Sequence, residues 1–92
     1  MKVNFYATLR QVVAAKSVEF TVQQGCTIRQ LITEMIRCYP ALHNELLNEQ
    51  GELYQHVHVF FNGRDALFHE DGLDTVLPED AVLGVFPAVG GG

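Results

Sequence analysis

Ile28, Leu31, Ile32, Met35 and Ile36 recur at helical spacing between two clear boundaries, and no other stretch of the chain keeps that pattern so long. Thr27 stands where a helix N-cap belongs, and Gln30 three residues on completes a capping box, so the helix start is well marked. Pro40 biases Tyr39 away from helical dihedrals and ends the element. The opposite face carries Arg29, Gln30, Thr33, Glu34 and Arg37, so a single substantial helix has one apolar stripe to bury. The rest of the fold has to supply the surface that buries it.

That surface reads as a sheet. Residues 3 to 9 alternate, with Val3, Phe5, Ala7 and Leu9 on one side, and residues 18 to 23 repeat the pattern through Val18, Phe20 and Val22. The two are expected to pair as a hairpin through a loop at 10 to 17, which lacks the Gly or Asn of a tight turn. Leu42, Leu46 and Leu47 suggest a short second helix over 41 to 47, followed by a polar turn at 48 to 52. His56 to Phe61 predicts a third strand with Val57, Val59 and Phe61 inward and His56, His58 and Phe60 outward; Asn62-Gly63 is a turn signal. A short edge strand is expected over 64 to 69. The run Ala81-Val82-Leu83-Gly84-Val85-Phe86 suits a strand buried on both faces in mid-sheet.

A hairpin, then a helix, then further strands is the order of a β-grasp, in which the first and last strands lie parallel at the centre. The expectation is an α+β domain: a mixed sheet of four to five strands, one main helix and a short second helix. Residues 1–87 would form the domain and 88–92 a flexible glycine tail.

Composition excludes several functions. With 48% hydrophobic and 18% charged residues, a packed core is expected and disorder is not. The net charge is -5, and Lys2, Arg10, Lys16, Arg29, Arg37 and Arg64 are scattered, so the basic footprint of a nucleic-acid binder is missing. No apolar stretch approaches the ~20 residues of a membrane span, and no signal-peptide core follows Met1; a cytoplasmic protein is expected. Cys26 and Cys38 flank the helix, whose length of about 16 Å at roughly 1.5 Å per residue rules out a disulfide between them. Both are read as packing thiols.

The last segment is the most specific. Phe86-Pro87-Ala88-Val89 leads into Gly90-Gly91-Gly92. Pro87 cannot donate to a ladder, so pairing should stop there and the chain should leave the sheet. Residues without a Cβ can enter a channel too narrow for side chains. Their terminal carboxylate is a poor electrophile until a phosphoryl or adenylyl group activates it. A partner must do this, because the chain has no phosphate-binding glycine motif.

Four segments carry a family resemblance: Phe5-Tyr6-Ala7-Thr8-Leu9-Arg10, Gly25-Cys26-Thr27-Ile28-Arg29-Gln30-Leu31, Phe61-Asn62-Gly63-Arg64, and Gly72-Leu73-Asp74-Thr75 through to Gly92. With them the chain resembles the molybdopterin synthase small subunit and its relatives, which include the thiamine-pathway sulfur carrier and ubiquitin-like modifiers. The resemblance implies a non-catalytic sulfur carrier with no cofactor of its own. A ubiquitin-activating-type adenylating enzyme would use ATP to adenylate Gly92, and sulfur transfer would leave a thiocarboxylate. In the molybdopterin branch Phe86, Pro87, Ala88, Val89, Gly90 and Gly91 would then thread into a large catalytic subunit, molybdopterin synthase's own. Ala88, where many molybdopterin carriers have a second Pro, Gly90 and Glu79 depart from that branch's pattern. Two other functions use the same sequence differently: a ubiquitin-like modifier joined to lysines, and a non-covalent interaction module.

Two further features are weighed against ordinary packing. His43, His56, His58 and His69 lack the Cys or carboxylate spacing of a recognised zinc pattern, so solvated histidines are expected and no metal site is. Tyr6 and Phe60 lie opposite the core-facing residues of their strands. They would form either an exposed patch for a partner or a contact under loop residues such as Leu67 or Phe68.

Overall fold

The computed structural model describes residues 1–87. The first strand, β1 (Lys2–Phe5), pairs antiparallel with β2 (Ser17–Glu19), and between them lies a helix, α1 (Leu9–Val13). The long helix α2 (Ile28–Cys38) and the short α3 (Leu42–Leu46) follow, then β3 (His58–Phe61), β4 (Arg64–Asp65) and β5 (Val82–Phe86). The sheet order is β2-β1-β5-β3-β4. β5 is parallel to β1 and antiparallel to β3, which puts the last strand at the centre of a mixed sheet. This is the ubiquitin-like β-grasp expected from the element order.

α2 begins as its residues dictate. The Gln30 backbone N–H donates to Thr27 Oγ1 at 3.1 Å, and the Thr27 N–H donates to Gln30 Oε1 at 2.9 Å, closing the capping box in both directions. Ile28, Leu31, Ile32 and Met35 are buried against Val3, Phe5, Val59, Leu83 and Val85 from the inner face of the sheet. Transfer of apolar surface from water at roughly 25 cal/mol per Å² makes this contact the main source of stability.

The structure corrects the strand boundaries. The first strand stops at Phe5, not Leu9, and the predicted loop at 10 to 17 contains α1. Alternation through Ala7 and Leu9 imitates a strand, but Ala7 turns the chain at φ 54°, after which Leu9 and Val13, four apart, are both buried. The second strand is three residues long rather than reaching residue 23. Its partner ends there, since the Phe20 N–H already donates to the carbonyl of Met1. The third strand starts at His58 rather than His56, and the edge strand expected over 64 to 69 is two residues followed by a 3₁₀ turn at Ala66–Phe68.

Burial of the last strand is also one-sided. Leu83 and Val85 are fully buried, whereas Val82 is 47% exposed and Gly84 and Phe86 are half-buried. Helices cover one face of the sheet only, so the other face stays open. None of the helices among the described residues is long and apolar enough to cross a membrane.

Two non-glycine turn positions bracket α1. Ala14 caps it at φ 58°, ψ 34°, a left-handed conformation that costs an L-residue roughly 1–2 kcal/mol. Ala14→Gly removes that strain at a backbone-entropy cost of roughly 0.5–1 kcal/mol, so a small net gain in stability is expected in urea unfolding. Gly63→Ala, in the Asn62-Gly63 turn at φ 73°, should instead lose about 1 kcal/mol, although nothing lies within 4 Å of the added Cβ. A loss of stability in Ala14→Gly, or none in Gly63→Ala, would contradict this account of the turns.

Candidate functional site

The central strand delivers the chain end to one edge of the open face. The Tyr6 N–H donates to the carbonyl of Val85 at 3.2 Å, and Phe86 pairs with His58. The next residue, Pro87, has no N–H to extend the ladder, and the strand ends at Phe86. Pro87 itself is buried. Ala88, Val89, Gly90, Gly91 and Gly92 lie outside the described residues.

Around this exit the outward-facing side chains form an aromatic group. Tyr6 stacks on Phe86 with ring centroids 4.2 Å apart and planes within 4°. Phe60 meets Phe86 edge to face at 5.3 Å. Gly84 makes the stack fit: a Cβ there would sit 3.3 Å from Tyr6 Cε2 and 3.7 Å from Phe86 Cε2. An isolated glycine in a strand often marks such a close approach, and this signal was available in the sequence. Arg10 reaches back from α1, donating from Nε to the carbonyl of Phe5 at 2.8 Å with its guanidinium carbon 5.3 Å from the Tyr6 ring centroid. Tyr6 and Phe60 therefore share one half-buried patch with Phe86. Phe68 is 75% exposed and is not their cover.

On the far side of Phe60 is a contact that no spacing rule announced. His58 Nδ1 donates to Asp65 Oδ2 at 2.7 Å, and Asp65 is the one charged residue among the described residues that is buried. The partners come from β3 and β4, brought together by the turn at Asn62-Gly63. The other histidines are dispersed. His69 Nε2 donates to the carbonyl of Phe61 at 3.1 Å, His56 stacks on Tyr54, and His43 lies beside Asn44. No group of three or more His, Cys, Asp or Glu among the described residues is placed to hold a metal ion.

The cysteines are both free; Cys26 is buried and Cys38 is exposed. Cys38 Sγ donates to Glu34 Oε2 at 3.4 Å, while Arg37 grips the same carboxylate at 2.6 Å. Desolvation, then the hydrogen bond to Glu34 and its negative charge, hold the thiol above its ordinary pKa; Arg37 opposes them. A thiol kept neutral is a slow nucleophile. In Glu34→Gln two of the raising causes go, so alkylation of Cys38 by iodoacetamide at neutral pH should become faster, and its pH profile should move down. An unchanged profile would remove Glu34 as a cause.

Residues 3–92 match the family model described as the ThiS family. The chain belongs to the ThiS family. This ThiS-family chain is 36% identical to small archaeal modifier protein 3 of Haloferax volcanii, covering 100% of this chain and 98% of that protein. It is similar to the crystal structure of small archaeal modifier protein 1 from the same organism, with a TM-score of 0.88 and 28% identity over 100% of this chain and 98% of that one. It is also similar to a Pyrococcus furiosus chain proposed to be subunit 1 of a molybdopterin converting factor. There the TM-score is 0.74 and the identity 27%, over 96% and 95% of the two chains. The ThiS-family chain thus stands among ubiquitin-like sulfur carriers and modifiers.

Proposed function

We propose that this ThiS-family chain acts through the carboxylate of Gly92, activated by a partner. The observation that carries this reading is β5: the central strand of the sheet runs straight into Pro87, after which only Ala88, Val89 and three glycines remain. A ubiquitin-activating-type enzyme would join Gly92 to the α-phosphorus of ATP, releasing pyrophosphate. A sulfur donor would then displace AMP and leave a thiocarboxylate. ATP belongs to the activating enzyme, and this chain brings the reactant. The open face with Tyr6, Phe60 and Phe86 is the natural surface for docking, since β5 ends there at Phe86.

The thiocarboxylate has two uses supported by different relatives. Sulfur donation to a pterin precursor in a molybdopterin synthase, with the tail in the large subunit, is supported by the Pyrococcus furiosus relative and by the Phe86-Pro87-Ala88-Val89-Gly90-Gly91-Gly92 ending. Protein modification is supported by the archaeal modifier relatives, one of them the more similar in sequence at 36%. Intact mass after incubation with the activating enzyme, ATP and a sulfur source should show one oxygen exchanged for sulfur. No exchange with an enzyme active on another carrier would sink the proposal.

Peptide mapping separates the uses. The last tryptic site is Arg64, so trypsin would leave residues 65–92 on a modified lysine, and the familiar short remnant would be missed. A Val89→Arg variant leaves only Gly90-Gly91-Gly92 on the acceptor and makes conjugates visible. Conjugates found in cells favour the modifier, and their absence beside a formed thiocarboxylate favours the sulfur donor.

A further inference from the structure

The edge strand β4 is two residues long, so the sheet ends before it covers the whole apolar flank of α2. The segment after α3 does not fill the gap, because its backbone closes on itself. There the Asn48 N–H donates to the carbonyl of Glu52 at 2.8 Å, and Leu47 bridges to Leu53. What remains is a groove of about 310 Å³ on the helix-covered side of the sheet. Ile32 and Val59 line it and are buried. Ile36, Leu47, Leu53, Tyr54 and Leu73 line it too and are only half-buried. A concave site of this size with a mostly apolar lining is the kind that takes apolar groups from outside the chain.

Charge narrows what fits. Nine of the chain's eleven acids fall within residues 45–80, where Arg64 is the one base, and the same stretch supplies most of the lining. Glu52 lines the groove, Glu49 lies two residues before Gly51 of the lining, and Asp71 lies two before Leu73. All three are exposed, and none is in an ion pair among the described residues. Arg29, the one base in the lining, is neutralised by Asp74 at 3.0 Å. An apolar groove in acidic surroundings complements an occupant that is apolar on one face and basic beside it. A second copy fits poorly: its Phe68, 75% exposed, would bring Glu70 and Asp71 against a surface already acidic.

We propose that this groove receives a basic amphipathic segment of a partner protein. The segment's apolar side chains lie between α2 and residues 47–57, and its Lys or Arg side chains face Glu49, Glu52 and Asp71. Tyr6, Phe60 and Phe86 do not line the groove, so this surface is separate from the open face on which an activating enzyme would dock. The inference does not rest on the activation of Gly92.

The test is titration of the isotope-labelled, full-length chain with a short helix-forming peptide of Leu and Lys, its Leu residues on one face. Amide signals of Ile36, Leu53, Tyr54 and Leu73 should move, and those of Tyr6, Phe60 and Phe86 should not. A peptide of the same composition with its Leu residues scattered, and one with Glu in place of Lys, should each bind at least about tenfold more weakly. Joint reversal of two exposed charges, Glu52→Lys with Asp71→Lys, should weaken binding about tenfold and flatten its salt dependence at an unchanged thermal midpoint. Ile36→Gln, if folded by its thermal transition, should also lose about tenfold, at high salt as at low. Signals moving at Tyr6, Phe60 and Phe86 instead, equal affinity for the scattered peptide, or unchanged affinity in the folded variants would each overturn the proposal. So would self-association of the native chain that Ile36→Gln disperses, which would make a second copy the occupant.

Discussion

A chain lacking Gly91 and Gly92 is expected to support no ATP–pyrophosphate exchange and to acquire no sulfur, while its thermal midpoint stays where it was. The two halves of that result have separate causes. The buried core of the described residues runs from Val3 to Val85 and the ladder stops at Phe86, so the deletion leaves every residue of that core in place. The activated atom, in contrast, is in the deleted part. Gly91→Val tests the same idea more gently: the carboxylate is retained but the tail gains a branched side chain. Misplacement by about 1 Å can cost about 100-fold in rate, and a loss of at least that size is expected in the exchange assay. Full activity in either variant would mean that the glycine tail is incidental and would favour a non-covalent interaction module.

Leu83→Ala should give the reverse pattern. Leu83 is fully buried at the centre of β5, in register with Val3 on one side and Phe61 on the other. Large-to-small changes at such sites cost roughly 2–5 kcal/mol through lost transfer energy and an unfilled cavity. A domain of this size has only about 5–14 kcal/mol to lose, at roughly 0.05–0.15 kcal/mol per residue. Each kcal/mol moves the midpoint of a small domain by roughly 4–8 °C, so a fall of about 10–30 °C is expected in calorimetry. Below the new midpoint the folded fraction should still be activated at Gly92, because its tail is intact. A drop smaller than about 5 °C would show that the strand's neighbours close over the gap, contrary to the packing described.

The parts of the fold that were legible from residues alone share a property: their signals are local and mutually consistent. Thr27 and Gln30 announce the start of α2 because a capping box is made by neighbours in sequence. Asn62-Gly63 announces a turn because both residues tolerate positive φ, and both adopt it. Alternation in residues 57 to 61 matched the burial of Val57, Val59 and Phe61. Alternation misled at residues 7 to 13. There Ala7 and Leu9 continue the period of β1, and the competing pair Leu9 and Val13 only reveals a helix once a core exists to bury both. Five residues are too few to form a helix on propensity, so tertiary contact decides.

The same division runs through the functional site. The glycine ending, the ladder-breaking Pro87 and the scattering of the basic residues are properties of the chain itself, and the proposal for Gly92 is read from them. The sequence also determined the β-grasp, because one capped amphipathic helix between a hairpin and further strands has few other arrangements. What only the tertiary structure decided is what surrounds the exit. An apolar run reads as buried on both sides, yet the second face of β5 is covered by no helix, and Gly84 leaves room for Tyr6 to lie flat against Phe86. Asp65 and His58, seven apart across a turn, become a bonded pair because β3 and β4 fold back on each other. Pairing and burial depend on what meets across the sheet, and that distance is set in space rather than along the chain.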